Sequence, residues 1–414
     1  MRTSAVALVL CGTALAGRAA AGEFDLLGVV SARGIAVESR RPWLEGGFGR
    51  LGEGGEAPGD RISTLRGVAQ LGFDWTPSPE FKLHAHGVAQ TQPERSGGSE
   101  VGLVEAFALY RPELSPTLAL RVKAGTYFPQ TSRENVDPLW SSPYTITLSS
   151  LNTWIGEEVR LTGVEAGLVR RGDHGELQIA GGAFGLNDSS GSLLAWRGWA
   201  MGDRLVTLGE VLPLPPLRSL GSRDAFADQR DDGTRPVEEL DGRVGWNARA
   251  RWETPGKLLL QAAYLDNRGD RGLHRGQYSW RTRLWQAGLE LQLAKGLSLI
   301  AEGAQGETGM GGRDGPHVDV DFQSGYAMLT WGNPRLRFSA RYEAFKNVDR
   351  DGTQEPNGEN GHALTLAAFV TPSRHLRIGV EALDLRAERP AAADSGFAAN
   401  TNSRRVTLEL RLLF

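Results

Sequence analysis

The last ten residues, Arg405-Val-Thr-Leu-Glu-Leu-Arg-Leu-Leu-Phe414, change polarity at almost every step. Val406, Leu408, Leu410, Leu412 and Phe414 fall on one side, and Arg405, Thr407, Glu409 and Arg411 on the other. A period of two sends successive side chains to opposite faces of a strand, so this segment has an apolar face and a charged face, each needing its own solvent. One such strand fits a soluble sandwich, whose apolar face meets a second sheet. The rest of the chain points elsewhere, because the pattern keeps returning. Leu65, Gly67, Ala69, Leu71, Phe73 and Trp75 oppose Arg66, Gln70 and Asp74. After Thr76-Pro-Ser-Pro-Glu80, Phe81, Leu83, Ala85, Gly87 and Ala89 oppose Lys82, His84, His86 and Gln90.

The connections alternate between two kinds. Tight turns follow Trp75, Tyr110, Trp252, Trp331 and Val370, four of them beginning at an aromatic residue, as in the interfacial girdle of a transmembrane barrel. The other strand ends carry longer polar stretches: 38–60, 92–100, 269–279, 309–319, 350–360 and 387–402. Short turns on one side and long loops on the other are the asymmetry of an outer-membrane barrel. The expected fold is an all-β, transmembrane antiparallel β-barrel of 18 strands, from 24–36 through 156–169 to 403–414. A short, glycine-interrupted pair at 193–201 and 204–210 is included; without it the count is 16. Either number encloses an aqueous lumen, whereas about eight strands would be filled by side chains.

The first residues read as a secretory signal over 1–21: Arg2, an apolar run from Ala5 to Ala16, and the small residues Ala19-Ala20-Ala21. One barrel domain is then expected over 22–414. The apolar run is shorter than the ~20 residues of a spanning helix. The only cysteine, Cys11, lies within this signal, and Leu10 before it does not suit a lipidation site, so the exported part has no thiol, disulfide or cysteine-held metal. Glycine is abundant, at 54 of 414 residues, and the apolar fraction is only 40%. A low apolar fraction suits a wet barrel, where half of each strand and all the loops face water. The net charge of -3 singles out no partner, and no tract suggests nucleic-acid binding.

Taking the polar side of each strand as inward gives a basic set of Arg66, Lys82, Arg121, Lys123, Arg160, Arg243, Arg249, Arg251, Arg335, Arg337, Arg341, Arg377, Arg405 and Arg411. The acidic set is Asp74, Glu105, Glu158, Glu165, Glu290, Glu302, Glu343, Glu381 and Glu409. The surplus of positive charge predicts a weak preference for anions. Arginine and glutamate pairing across neighbouring strands to keep the wall wetted accounts for the same residues.

The stretch from Phe128 to Trp154 lacks strand periodicity and is too apolar for a free loop, since Leu139, Trp140, Tyr144, Ile146, Leu148, Leu151 and Trp154 need cover. Folding 129–155 into the lumen would supply it, making this an infolded constriction loop. The segment Gly125-Thr-Tyr-Phe-Pro-Gln-Thr-Ser-Arg-Glu-Asn135, ahead of Trp140, resembles the porins grouped with the phosphate-selective porins O and P, as do Ala195-Trp-Arg-Gly-Trp-Ala200 and Leu205-Val-Thr-Leu-Gly209. The chain departs from that group in having no lysine-rich lumen segment. The resemblance implies a water-filled channel for passive diffusion of small hydrophilic solutes, with Arg133, Glu134, Asn135 and Asp137 at the constriction and no cofactor, metal or catalytic residue. It also implies residence in the bacterial outer membrane, contact with its lipid and lipopolysaccharide, delivery by the barrel assembly machinery, and a homotrimer. Ending on Phe414 is similar to the terminal assembly signal of such barrels, apart from Leu412 in place of an aromatic residue.

The alternative function is an outer-membrane barrel hydrolase of lipase or protease type. It would need one of His274, His317 or His362 near Ser141, Ser142 or Asp319, and spacing selects no set. Gly47-Phe-Gly-Arg-Leu-Gly52 spells a dinucleotide fingerprint with no helix after it. His84 and His86 share a strand face without a third ligand. Asp228 to Asp232 and Asp349 to Asp351 lack the full spacing of a calcium loop.

Overall fold

A strand in hydrocarbon must pair every backbone N–H and C=O with another strand, so its sheet is stable only when closed. In a computed structural model, which describes residues 22–91, 101–221, 224–229, 233–312, 314–353 and 355–414, sixteen antiparallel strands achieve this. They are β1 (Glu23–Glu38), β2 (Arg61–Ser78), β3 (Phe81–Gln90), β4 (Val101–Tyr110), β5 (Leu118–Tyr127), β6 (Leu161–Gly172), β7 (Gly175–Gly185) and β8 (Gly245–Thr254). The second half comprises β9 (Leu258–Asp266), β10 (Arg281–Ala294), β11 (Leu297–Gly311), β12 (His317–Gly332), β13 (Leu336–Asp349), β14 (Glu359–Ser373), β15 (Leu376–Glu388) and β16 (Asn400–Leu413). Each pairs with its neighbours in sequence, and β16 returns to β1. One three-residue strand, Glu113–Ser115, joins the sheet at the turn before β5.

Sixteen, not eighteen, is therefore the strand number. The segments 193–201 and 204–210 belong to the long connection between β7 and β8 (L4, 186–244), where Leu193–Arg197 forms a turn of π-helix. The reason lies in burial: Leu193, Leu194, Ala195, Trp196, Trp199 and Ala200 are all enclosed, whereas a wall strand would show every second side chain to lipid. A second correction concerns the expected start of a strand at 156. Residues Ser150–Glu158 form a helix, α1, so Glu158 and Arg160 belong to the connection between β5 and β6 (L3, 128–160), not to the wall. Arg243 and Arg335 also leave the lumen-facing set, being exposed in L4 and in the turn before β13. The expected loop at 309–319 is shorter, since β11 runs to Gly311 and β12 starts at His317. The segments 1–21 and 92–100 lie outside the described residues.

Elsewhere the two faces fall as the alternation requires. Leu65, Leu71, Phe73, Val406, Leu408 and Leu410 are exposed on the outside, while Asp74, Arg405, Glu409 and Arg411 are buried inside. Aromatic residues gather at the tight-turn end, where Phe24 stacks on Trp75 at 5.9 Å and Trp331 on Phe338 at 5.8 Å. A second outward group, Trp246, Tyr264 and Trp285, spans β8 to β10 toward the long-loop end.

Closure is completed at the last residue. The Gly28 N–H donates to the Phe414 carbonyl at 2.7 Å and the Phe414 N–H to the Gly28 carbonyl at 3.0 Å. The Phe414 ring lies over Gly28 so closely that a Cβ there would be 2.1 Å from it, an aromatic covering a cross-strand glycine. We expect Gly28→Val, which displaces the ring, and Phe414→Ala, which removes it, each to weaken the seam by about 1 kcal/mol. The readout is the temperature at which the folded barrel loses its characteristic gel mobility; unchanged temperatures in both variants would show that the seam does not use this contact.

Candidate functional site

L3 crosses the inside of the barrel and is fixed by the wall's own inward side chains. At its start the Gln130 side chain accepts from Arg249 on β8 at 3.0 Å, and the Thr131 carbonyl accepts from Gln261 on β9. Midway, Leu139 reaches Gly72 of β2, where a Cβ would sit 2.5 Å from its methyl. The Ile146 and Thr147 N–H groups donate to the Glu381 carboxylate of β15 at 2.6 and 3.0 Å. The Ser150 N–H, at the start of α1, donates to Glu343 of β13 at 2.7 Å, and the Asn152 amide to Glu302 of β11 at 2.8 Å. The helix begins because Ser149 caps it, accepting from the Asn152 N–H at 3.2 Å.

Glu134 organises the loop from within. Fully buried, it accepts from the Thr145 hydroxyl at 3.0 Å, the Ser149 N–H at 2.9 Å and the Asn152 amide at 3.1 Å. Its charge is met by Arg341 of β13, which also donates to the Thr147 carbonyl at 2.9 Å. Burying this pair is tolerable only because so many further hydrogen bonds satisfy its oxygens and N–H groups.

Above L3, L4 packs against the wall together with the connection between β1 and β2 (L1, 39–60). Leu151, Trp154 and Ile155 of α1 join Leu194, Trp199, Met201 and Leu205 of L4 against Ile35, Val37, Phe322, Phe345, Leu383 and Leu385, the inward residues near the long-loop ends of their strands. Arginines strap L4 down by its carbonyls. Arg50 of L1 donates to Arg197 at 2.5 Å and Trp199 at 3.2 Å, and Arg389, beyond β15, to Ala195 at 2.5 Å and Trp196 at 2.9 Å. Both face Glu359 of β14, 2.6 Å from Arg50. Farther along L4, Asp203 bridges two wall arginines, Arg33 of β1 and Arg66 of β2, that stand directly opposite each other in the ladder. Burial alone would raise the Asp203 carboxyl, but the two guanidiniums hold it well below the usual carboxylate range.

The remaining candidates line the wall toward the tight-turn end. Arg121 pairs with Glu113 at 2.9 Å, Arg249 with Glu165 at 2.9 Å, and Arg251 with Glu253. Lys82 and His84 share Asp74. Lys123 lies over the Phe107 and Tyr127 rings at 4.4 and 5.0 Å, and Arg337 over Tyr144 at 5.1 Å. Arg133, Asp137 and Tyr144 of L3 stand on this side, Asp137 bonded to Arg377 at 3.3 Å. Arg160 is set apart: buried at the end of L3, it stacks on Phe128 at 3.6 Å and donates to the Val206 carbonyl at 2.7 Å, fastening L3 to L4. Asn135 donates to the Trp140 carbonyl at 2.9 Å, shaping the turn of L3. No sequence pattern singles out Arg50, Asp203, Glu359 or Glu53, the last of which pairs with Arg66 at 3.3 Å and Arg405 at 3.2 Å. A usable signal was present in Trp196-Arg-Gly-Trp199, two tryptophans that need burial.

The histidines form no hydrolytic arrangement among the described residues. His274 bonds Asp270 at 3.0 Å, His317 lies 2.9 Å from the Gly315 carbonyl, and among the described residues no hydroxyl is hydrogen-bonded to an imidazole ring. Asp349 accepts from the Asp351 and Asn357 N–H groups, closing a loop on itself, while Asp231 and Asp232 lie outside the described residues. A different acidic group forms at the base of L4, where Asp188, Glu239 and Asp241 bring carboxylate oxygens within 4.8 Å of one another.

Comparison with solved structures places this architecture. The outer-membrane channel DcaP of Acinetobacter baumannii superposes with a TM-score of 0.55 at 13% identity, over 95% of this chain and 98% of the other. An anion-selective porin from Comamonas acidovorans gives 0.54 at 10% identity, over 95% and 100%. Salmonella typhi OmpF, in complex with daunomycin, gives 0.52 at 12%, over 95% and 98%. The fold is that of outer-membrane porins. No protein-family model matches the chain, and no curated protein does.

Two consequences can be measured. Replacing Arg341 by Met strands the Glu134 charge, so we expect amide exchange from Thr145 to Thr153 to rise about a hundredfold, from a loss of about 3 kcal/mol. Adding Glu134→Gln should recover part of it; exchange unchanged in the single variant would show that the pair does not hold L3. At the base of L4, burial and the neighbouring Asp241 and Glu239 charges push the Asp188 carboxyl up to about 7, against the N–H groups of Leu240 and Asp241 that it accepts. Folded protein then keeps this proton between about pH 4 and 7 while an unfolded carboxyl has lost it, so stability falls as pH rises through that window and levels off above it. The Leu240 and Asp241 amides should exchange faster at pH 8 than at pH 5, after correction for intrinsic rates, and Asp188→Asn should flatten the difference. A slope that survives in the variant would assign it to another group.

Proposed function

We propose that the chain is an outer-membrane porin, a water-filled channel for passive diffusion of small hydrophilic solutes, with a weak preference for anions. The observation that carries this reading is a closed sixteen-strand wall, apolar outside and charged inside, whose inward side chains hold L3 across the lumen. L3 is the constriction, with Arg133 and Asp137 facing Lys123, Arg249, Arg251 and Arg337 on the wall, while Glu134, Arg160 and Arg341 keep it in place. Arg121 lines the approach from the tight-turn side.

The anion preference rests on the surplus of basic over acidic residues on the inward side of the wall. Most wall charges are paired, as the neutral wetting account expects; among the described residues Lys123, Arg133 and Arg337 have no carboxylate within ion-pair distance, while the carboxylates Glu290, Glu302 and Glu381 have no cation there, the last two taking N–H groups of L3 instead. Fixed positive charge in a low-dielectric wall concentrates anions in the water it surrounds, and the Comamonas neighbour is an anion-selective porin. We extend the resemblance of Gly125–Asn135 to the phosphate-selective O and P group only as far as the infolded loop, not to phosphate selectivity. In this reading 1–21 directs export, the tight turns face the periplasm and the long loops the exterior. Outer-membrane lipid and lipopolysaccharide surround the wall, the barrel assembly machinery inserts it, and copies of the chain associate as trimers. The channel is not an enzyme.

The test is electrical. In a planar bilayer with a tenfold potassium chloride gradient, purified protein should conduct with a reversal potential on the chloride side of zero. Clear cation selectivity removes the anion preference, and no conductance from correctly folded barrel removes the channel.

A further inference from the structure

Like charges directly opposite each other across two strands repel, and among the described residues the lumen contains two such arginine pairs. The first, Arg33 opposite Arg66, is bridged by the Asp203 carboxylate of L4, which bonds both guanidiniums. The second is Arg377 of β15 opposite Arg411 of β16. Both side chains point inward and are more than nine-tenths buried, at 6% and 4% exposure. Here no protein carboxylate bridges them: Asp137 meets only Arg377, at 3.3 Å, and Glu409 meets Arg411 at 2.9 Å while also serving Arg33. Three N–H-bearing nitrogens are left buried without a hydrogen-bond partner, Nε of Arg377 and both Nε and Nη1 of Arg411. Nearby, Arg337 stands in register with Phe369, the ring on which Arg377 stacks at 4.8 Å. Asp137, which bonds Arg377, is itself partly exposed, and its neighbour Val136 in L3 is exposed.

We infer that Arg377 and Arg411 form an oxyanion-binding site in the channel, in which a solute oxyanion takes the bridging place that Asp203 takes between Arg33 and Arg66. The geometry suits a group with two or more oxygens, because each guanidinium is a planar fork and opposed residues in a ladder lie about 5 Å apart at Cα. A spherical chloride cannot engage both forks equally well, so the site separates carboxylates and tetrahedral oxyanions from halide. The inference rests on the channel reading for its physiological meaning, but the binding itself does not require current to flow.

The experiment therefore has two readouts on full-length folded protein. In chloride buffer, the line width of carboxyl-labelled 13C-acetate should increase with added barrel, and sulfate should narrow it by competition. Arg411→Lys and Arg377→Lys keep the charge but lose the fork, so each should reduce the broadening at least threefold while migrating as folded barrel. In bilayers, acetate and sulfate should each depress the chloride current with saturation, and the lysine variants should lose that depression while remaining anion-preferring. Broadening by acetate that sulfate leaves intact restricts the site to carboxylates and keeps the proposal. No broadening by acetate and no saturating depression by sulfate overturns it, as does equal binding in both lysine variants. Absence of chloride current with broadening intact would instead remove the channel reading and leave the site standing.

Discussion

Everything in this molecule follows from the rule that no backbone hydrogen bond can be left open in hydrocarbon. A sheet meets that rule only by pairing its last strand with its first, and here β16 does so along β1, ending with the two hydrogen bonds between Gly28 and Phe414. Closure at sixteen strands makes a ring too wide for wall side chains to fill. The inside must therefore be occupied by something else, and the chain spends L1, L3 and L4 on it.

The charges of the wall determine how those loops fit. A strand offers inward positions at every second residue, so arginines on adjacent strands are brought into opposition whether or not a carboxylate is in reach. The loops supply what the ladder lacks: Asp203 between Arg33 and Arg66, Glu53 beside Arg66 and Arg405, and Glu134 beneath Arg341. In return the wall carboxylates Glu302, Glu343 and Glu381 take up amide N–H groups of L3 that would otherwise be buried without partners. Loop and wall are thus complementary in hydrogen bonds as much as in shape.

What could be read from the sequence was what periodicity carries. Alternation placed Arg405, Glu409 and Arg411 inside and Val406, Leu408 and Leu410 outside, and the proline turns located the aromatic girdle. The infolded segment was visible because Leu151 and Trp154 had no strand pattern to hide in. The strand count failed at 193–210 because an enclosed loop and an interrupted strand look alike over a few residues; both are apolar, and only full enclosure of Trp196 and Trp199 separates them. The mouth departs from the pattern for a related reason. The polar residues are not the whole inward set: Ile35, Val37, Phe345 and Leu385 also point inward, because near the long-loop end their neighbour is α1 or L4 rather than water. Ion pairs such as Arg33 with Asp203 join residues far apart in the chain, and no local pattern records them.

The seam between β1 and β16 carries one further implication. The first wall strand has its partner in the last, so β1 keeps one edge unpaired until β16 is in place. An open edge rich in apolar side chains is a template for pairing with other chains, and every chain cut short before β16 would have two such edges. Folding of this protein cannot be completed piecemeal from the N-terminus. The ring stays open until β16 has paired with β1, and the exposed edges disappear in the same step that makes it a barrel.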